Sequence, residues 1–211
     1  MDAAPRVEIV RHPLVQQKLT TARDVRTPSE DFRRLLAEIA MFMVYDLTRD
    51  HPTEAVDVIT PVGRARGAIL GSQITLVPIL RAGLGMADGI LRLIPQARVG
   101  HLGIYRDETS LQPVVYYNKL PPDIAQSEVI LIDPMLATGG SSVVAVDAIK
   151  KTGATRIKFL CLVAAPEGIR RMQEAHPDVV IYTAAVDSHL NEHGYIVPGL
   201  GDAGGRIFGT V

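Results

Sequence analysis

Cysteine is almost missing from these 211 residues. The single thiol, Cys161, cannot close an internal disulfide, which excludes a disulfide-stapled scaffold and fits a reducing compartment. Tryptophan is absent and aromatic residues make up only 5%, a low share. An excess of charge of either sign is also lacking: 22 Lys and Arg stand against 23 Asp and Glu, a formal net charge of -1. No global positive field therefore recruits nucleic acid or anionic lipid, and any anion site must be local. No stretch approaches the ~18 uninterrupted apolar residues of a membrane span. The start, Met1-Asp2-Ala3-Ala4-Pro5-Arg6, lacks the basic and apolar regions of a signal peptide. The expectation is a soluble, cytoplasmic protein with no nucleic-acid partner and no membrane partner. No repeat and no low-complexity run divides the chain, so residues 1–211 are expected to form one domain.

What is present is an ordinary globular balance, 47% apolar and 21% charged. Thr27-Pro28-Ser29-Glu30 reads as a helix start, with Thr27 as cap, Pro28 in the first helical position and Glu30 completing a capping box. Phe32, Leu35, Leu36, Ile39, Met43 and Leu47 follow helical spacing until His51-Pro52. Residues 56–60 and 65–70 flank Pro61-Val62-Gly63-Arg64 and read as a hairpin arm over about 56–70, suited to a dimer contact. From Ile74 the pattern becomes short apolar runs separated by helical segments, the signature of an α/β fold with parallel strands and crossover helices. Strands are expected near 74–80, 99–105, 129–133, 157–165 and 179–186. Met86, Ile90 and Leu93 mark one helix; Val143, Val146 and Ile149 mark another that ends before Gly153. Residues 106–122 have no clean period and read as a flexible flap, with 113–118 as an edge strand.

The chemistry concentrates in Asp133-Pro134-Met135-Leu136-Ala137-Thr138-Gly139-Gly140-Ser141, which follows an apolar strand and opens a helix. Asp133 stands at the carboxyl end of the strand, where open α/β sheets bind ligands. The loop behind it offers backbone N–H groups, hydroxyls and a helix N-terminus for a phosphate. Two anions side by side repel, so the ligand should present hydroxyls or a bound cation to Asp133 and its phosphate to the loop; a ribose 5-phosphate does both. No Lys follows Gly140, which argues against a P-loop nucleoside triphosphatase.

This loop resembles the phosphoribosyl diphosphate signature of type I phosphoribosyltransferases in the form used by the uracil phosphoribosyltransferase family. Val77-Pro-Ile-Leu-Arg81-Ala-Gly-Leu-Gly85 is similar to that family's pyrophosphate loop, and residues 191–204 to its uracil-recognition segment. The resemblance runs from Arg11-His12-Pro13-Leu14 through Phe208-Gly209-Thr210, with the motifs in the family's order. It implies a type I phosphoribosyltransferase fold, a mostly parallel central sheet flanked by helices, with a hairpin arm and a C-terminal hood for the base. The implied reaction joins N1 of uracil to the ribosyl C1 of phosphoribosyl diphosphate, giving UMP and diphosphate.

By the same resemblance, Arg81 and Arg106 contact the donor's diphosphate, Asp133 holds its ribose hydroxyls, and residues 134–141 cradle its 5-phosphate. Guanidinium groups aimed at a leaving diphosphate bind the transition state more tightly than the ground state. Most type I relatives carry two adjacent acids where this chain has Ile132-Asp133, a departure shared with the uracil-specific form. Mg²⁺ is accordingly expected to arrive on the donor, with no metal ligand assigned among the residues. Ile196, Gly201, Asp202 and Ala203 are implied to contact uracil, and Asp202 the donor as well; Asp133, Arg81 and Asp202 make up the catalytic set. The resemblance also suggests a cis peptide at Leu80-Arg81 and GTP as an allosteric activator, and the hairpin arm points to a homodimer or larger homo-oligomer.

The segment Gly199-Leu-Gly201-Asp202-Ala203-Gly204 is so poor in side chains that a planar base docking there must be read by backbone groups, with Ile196 and Tyr195 as apolar walls. Uracil presents acceptor, donor, acceptor, which alternating N–H and C=O groups match. Two other readings stay open: an RNA-binding regulator on the same fold, disfavoured by the near-neutral charge, and a transferase for another base. Orotate would need a cation for its carboxylate, and only Arg206 is near in sequence. His193 reads as a turn residue with a local hydrogen bond rather than a general base, Cys161 as a small buried hydrophobe, and Met41 and Met43 as helix core.

Overall fold

The computed structural model describes residues 7–106 and 112–210, with Arg106 described by its backbone alone. Five residues of the expected flap, 107–111, lie outside the described residues. The chain opens with β1 (Val7–Ile9) and two helices, α1 (Pro13–Arg23) and α2 (Ser29–Leu47). Pro13 stands at the first turn of α1, and His12 caps it by accepting from the Leu14 N–H at 3.2 Å. The start of α2 differs from the capping box expected at Thr27. Pro28 is the N-cap and makes no side-chain bond, while the Thr27 hydroxyl turns back to donate to the Thr21 carbonyl at 2.6 Å. The six stripe residues from Phe32 to Leu47 are all buried.

A hairpin follows, β2 (Thr53–Thr60) paired antiparallel with β3 (Gly63–Leu70). All eight residues of β3 are exposed, as are most of β2. Then come β4 (Ile74–Leu80), α3 (Leu84–Leu93), β5 (Arg98–Val99), β6 (His101–Arg106) and β7 (Pro113–Lys119). After a short 3₁₀ turn the chain continues with β8 (Glu128–Ile132), β9 (Met135–Leu136), α4 (Gly140–Lys150), β10 (Ile157–Ala164), α5 (Pro166–Ala175) and β11 (Val180–Val186). It ends with β12 (His189–Leu190), β13 (Ile196–Val197) and α6 (Ala203–Phe208).

Nine strands make one sheet in the order β1-β11-β10-β8-β4-β6-β7, with β5 beside β4 and β9 beside β10. Every pairing in it is parallel except β6 with β7. Strands β8 and β10 are buried at every position. Their alternation explains why. Ile130, Ile132, Leu160 and Leu162 face the layer of α1, α2, α3 and α6, while Val129, Leu131, Phe159 and Cys161 face α4 and α5. A strand covered by helices on both sides needs apolar residues at both phases of its two-residue period, which is why it reads as a continuous hydrophobic run. No helix among the described residues is long and apolar enough to cross a membrane.

Candidate active site

Strands β4 and β8 lie side by side with Pro78 level with Ile132, so the residues that leave them, Arg81 and Asp133, emerge together at the carboxyl edge. From β4 the chain moves outward to β6, and it then returns to lay β8 on the other side of β4. The edge between them is a switch point of the sheet, where open α/β folds leave a crevice. After β4 the Leu80–Arg81 peptide is cis, and the Gly83 N–H donates to the Ile79 carbonyl at 2.9 Å, turning the chain into α3. After β8, Gly139 caps α4 at φ 76, a left-handed conformation that a Cβ would strain. A Cβ there would also stand 3.0 Å from the Gly168 carbonyl oxygen.

A cavity of about 260 Å³ opens at this edge. Of the expected site residues, Arg81, Asp133, Pro134, Met135, Ser141, Asp202 and Ala203 line it. Leu136 is fully buried, and Ala137, Thr138, Gly139 and Gly140 complete the turn without lining the cavity. Gly201, at φ 71, and the buried Ile196 do not line it either, and Tyr195 is exposed. The Arg106 side chain lies outside the described residues.

Burial pushes the Asp133 carboxyl up to about 7, against the opposing effect of the Met135 N–H, which donates to its Oδ1 at 3.4 Å. Asp202 caps α6, its Oδ1 accepting from the Gly205 N–H at 3.1 Å. These two carboxylates stand on separate elements. Among the described residues no group of three or more metal-ligating side chains converges.

A larger apolar groove of about 760 Å³ lies between the β1–α1 connection and α2, where His12 stacks on Phe42 with ring centroids 5.9 Å apart. It holds neither the turn after β8 nor Asp133 and Asp202, so the smaller cavity is the candidate site. His193 is exposed, and its N–H donates to Asn191 Oδ1 at 3.0 Å; the Cys161 thiol is buried and pushed up to about 12.

Four residues around the site were assigned no role from the sequence. Arg23 and Asp187 hold the backbone of Gly199, Arg171 lies against Gly140, and Phe208 faces Arg81. Each comes from a helix or strand end remote in sequence from the group it touches, so spacing carried no hint of it.

A family model described as uracil phosphoribosyltransferase matches residues 9–210. A uracil phosphoribosyltransferase of Streptococcus pyogenes serotype M1 is 58% identical over 204 residues, covering 96% of this chain and 98% of the relative. Among solved structures, the AQ2163 protein from Aquifex aeolicus superposes with a TM-score of 0.92 at 41% identity, covering 97% of this chain and 98% of that one. A hypoxanthine-guanine phosphoribosyltransferase from Bacillus anthracis superposes with a TM-score of 0.53 at 14% identity, over 75% of this chain and 80% of that one, a likeness of fold alone.

Proposed function

The chain belongs to the uracil phosphoribosyltransferase family, and we propose that it transfers the 5-phosphoribosyl group of phosphoribosyl diphosphate to N1 of uracil, giving UMP and diphosphate. The observation that carries this reading is the convergence of Arg81, Asp133, Ser141 and Asp202 on one cavity. An arginine, a phosphate turn and two carboxylates match the three parts of the donor: its diphosphate, its 5-phosphate and its ribose.

As the bond from C1 to the diphosphate breaks, negative charge grows on the leaving group and positive charge on the sugar. Arg81 binds the first, joined by Arg106, while Asp133 holds the ribose hydroxyls and faces the second. An ionised carboxylate at a buried position meets that developing positive charge with little screening, so Asp133 stabilises the transition state more than the ground state. Residues 134–141 anchor the 5-phosphate. Mg²⁺ bound to the donor would neutralise the diphosphate, and Asp133 and Asp202 are the residues here that would face it.

Asp202 and Ala203, which line the cavity, read uracil through their backbone groups, with Gly201 beside them at its rim and Ile196 as an apolar wall. Arg206 is the cation nearest in sequence that an orotate carboxylate would need, but it is otherwise engaged. It donates to the Leu200 carbonyl at 2.9 Å and the Asp24 carbonyl at 2.8 Å, over the Phe32 ring. Within the same proposal the whole chain is one domain, the exposed β2–β3 arm joins copies into a homodimer or larger assembly, and GTP acts as an allosteric activator in the cytoplasm.

The test supplies phosphoribosyl diphosphate and Mg²⁺ with uracil, cytosine, orotate, hypoxanthine or adenine, with and without GTP, and follows nucleotide and diphosphate. UMP from uracil alone supports the reading. Turnover with a different base overturns the acceptor assignment, and no turnover with any base overturns the enzyme reading in favour of an RNA-binding regulator.

A further inference from the structure

Gly199 stands two residues before Gly201, where the base-reading backbone begins. Its φ is 62, and a Cβ would lie 2.1 Å from the Ile196 carbonyl oxygen, so the chain doubles back tightly here. Both polar groups of Gly199 are held by one ion pair. Its N–H donates to Asp187 Oδ2 at 2.8 Å, and its carbonyl accepts from Arg23 Nη1 at 2.8 Å. The same Arg23 fork donates to Asp187 Oδ2 through Nη1 at 2.8 Å and to Oδ1 through Nη2 at 2.7 Å. Asp187 is 6% exposed and Arg23 23% exposed.

The two partners come from opposite parts of the chain. Asp187 follows β11 and is fixed to the sheet by its own N–H, which donates to the Ala164 carbonyl at 2.8 Å. Arg23 is the last residue of α1. One residue on, the Leu200 carbonyl is held by Arg206. Three polar groups of the backbone leading into Gly201 are thus set by side chains anchored in three different elements.

A buried ion pair is a poor source of stability, because desolvating both charges offsets their attraction. Its geometric specificity is another matter, since a guanidinium and a carboxylate meet in a planar fork with little angular freedom. We propose that the Arg23–Asp187 pair is a positioning device for the acceptor base. By holding Gly199 at both its N–H and its C=O, it sets the direction in which the backbone of Gly201, Asp202 and Ala203 meets the base. This inference rests on the proposed uracil transfer and deepens it. A base read by main-chain groups can be misread only if the main chain turns, so loosening this clamp weakens acceptor recognition and leaves the donor site as it was.

The experiment measures KM for uracil and for phosphoribosyl diphosphate, the uracil-to-cytosine rate ratio and the melting temperature in the wild-type enzyme, Arg23→Lys, Asp187→Asn and the double variant. Lysine keeps the charge beside Asp187 but lacks the fork that reaches Gly199 as well, so Arg23→Lys retains most of the wild-type stability while losing recognition. The expected result is a rise of ~10-fold in the uracil KM of each single variant, a change of less than ~2-fold in the donor KM, and a double variant no worse than the poorer single. Asp187→Asn supplies the same reading if an Arg23 variant folds poorly. An unchanged uracil KM, or equal rises in both KM values, overturns the positioning role while leaving uracil transfer standing. A wild-type enzyme inactive on uracil overturns the proposed reaction and this inference with it.

Discussion

The Arg81 guanidinium stands over the ring of Phe208, 5.6 Å from its centroid. The turn that leaves β4 toward the cavity therefore has an aromatic neighbour from α6, the last helix of the fold. A cation over an exposed ring face is worth ~0.5–1 kcal/mol, enough to bias the arginine toward one direction. Phe208→Ala is expected to raise the KM for phosphoribosyl diphosphate ~2- to 5-fold while leaving the KM for uracil within error. Steady-state kinetics with each substrate varied in turn checks this, and an unaltered donor KM refutes the support role.

Asp133 costs the unliganded fold stability in a pH-dependent way. Its carboxyl titrates near 3.8 when unperturbed and at about 7 in the fold. Between those values the folded state holds a proton that the unfolded chain has lost, so stability falls as pH rises through this window. Asp133→Asn removes the penalty. The variant is expected to melt higher than wild type at pH 8 by ~4–8 °C, with the difference closing toward pH 4, and to lose ~100-fold or more in turnover. Melting curves across pH beside an assay check both halves; wild-type turnover would refute the catalytic role.

At the opposite end of β8, Glu128 is buried between His51 Nδ1 at 3.2 Å and Lys158 at 3.1 Å. Lys158 also donates to the Leu47 carbonyl at 2.8 Å, tying the end of α2 to the sheet. Lys158 is also paired with Asp50, so Glu128→Gln removes one of two counter-charges and is expected to cost ~1–2 kcal/mol in denaturant unfolding. Both substrate KM values should stay at wild type, because this network touches no part of the cavity.

The β2–β3 arm exposes Ile59 at 86% and Val62 at 98%. An isolated two-stranded ribbon is marginal in water, so these apolar tips are expected to pack against a second copy. Ile59→Asp with Val62→Asp should shift sedimentation from dimer or larger to monomer. A wild-type monomer, or a variant that stays associated, contradicts the proposed arm.

Cys161 lies within β10 with its thiol pushed up to about 12 by burial. A thiol-specific chromogenic reagent should therefore leave the native protein unlabelled at pH 8 and titrate one thiol per chain in denaturant. Rapid labelling of the native protein would refute the buried assignment.

The α/β architecture was legible because buried parallel strands leave apolar runs that need no alternation, and the stripe from Phe32 to Leu47 was legible because its spacing is helical. The start of α2 was read less well. Thr27 has the right chemistry for a cap, but its hydroxyl is taken by Thr21, a contact no local rule anticipates. Short β12, β13 and α6 have too few residues to show a period, so the order they bring to residues 189–208 was invisible beforehand.

Sequence alone determined what depends on neighbours along the chain: the strand, the glycine turn and the helix that set Asp133 at the carboxyl edge of the sheet. Tertiary structure alone decided which distant groups meet there. The pairing of β4 with β8 brings Arg81 beside Asp133, and the packing of α1 against the end of β11 lets Arg23 reach Gly199 across 176 residues. Local motifs are set by backbone conformation and hydrogen bonds a few residues long, whereas these meetings follow from burying both faces of one sheet, a condition that only the whole chain satisfies.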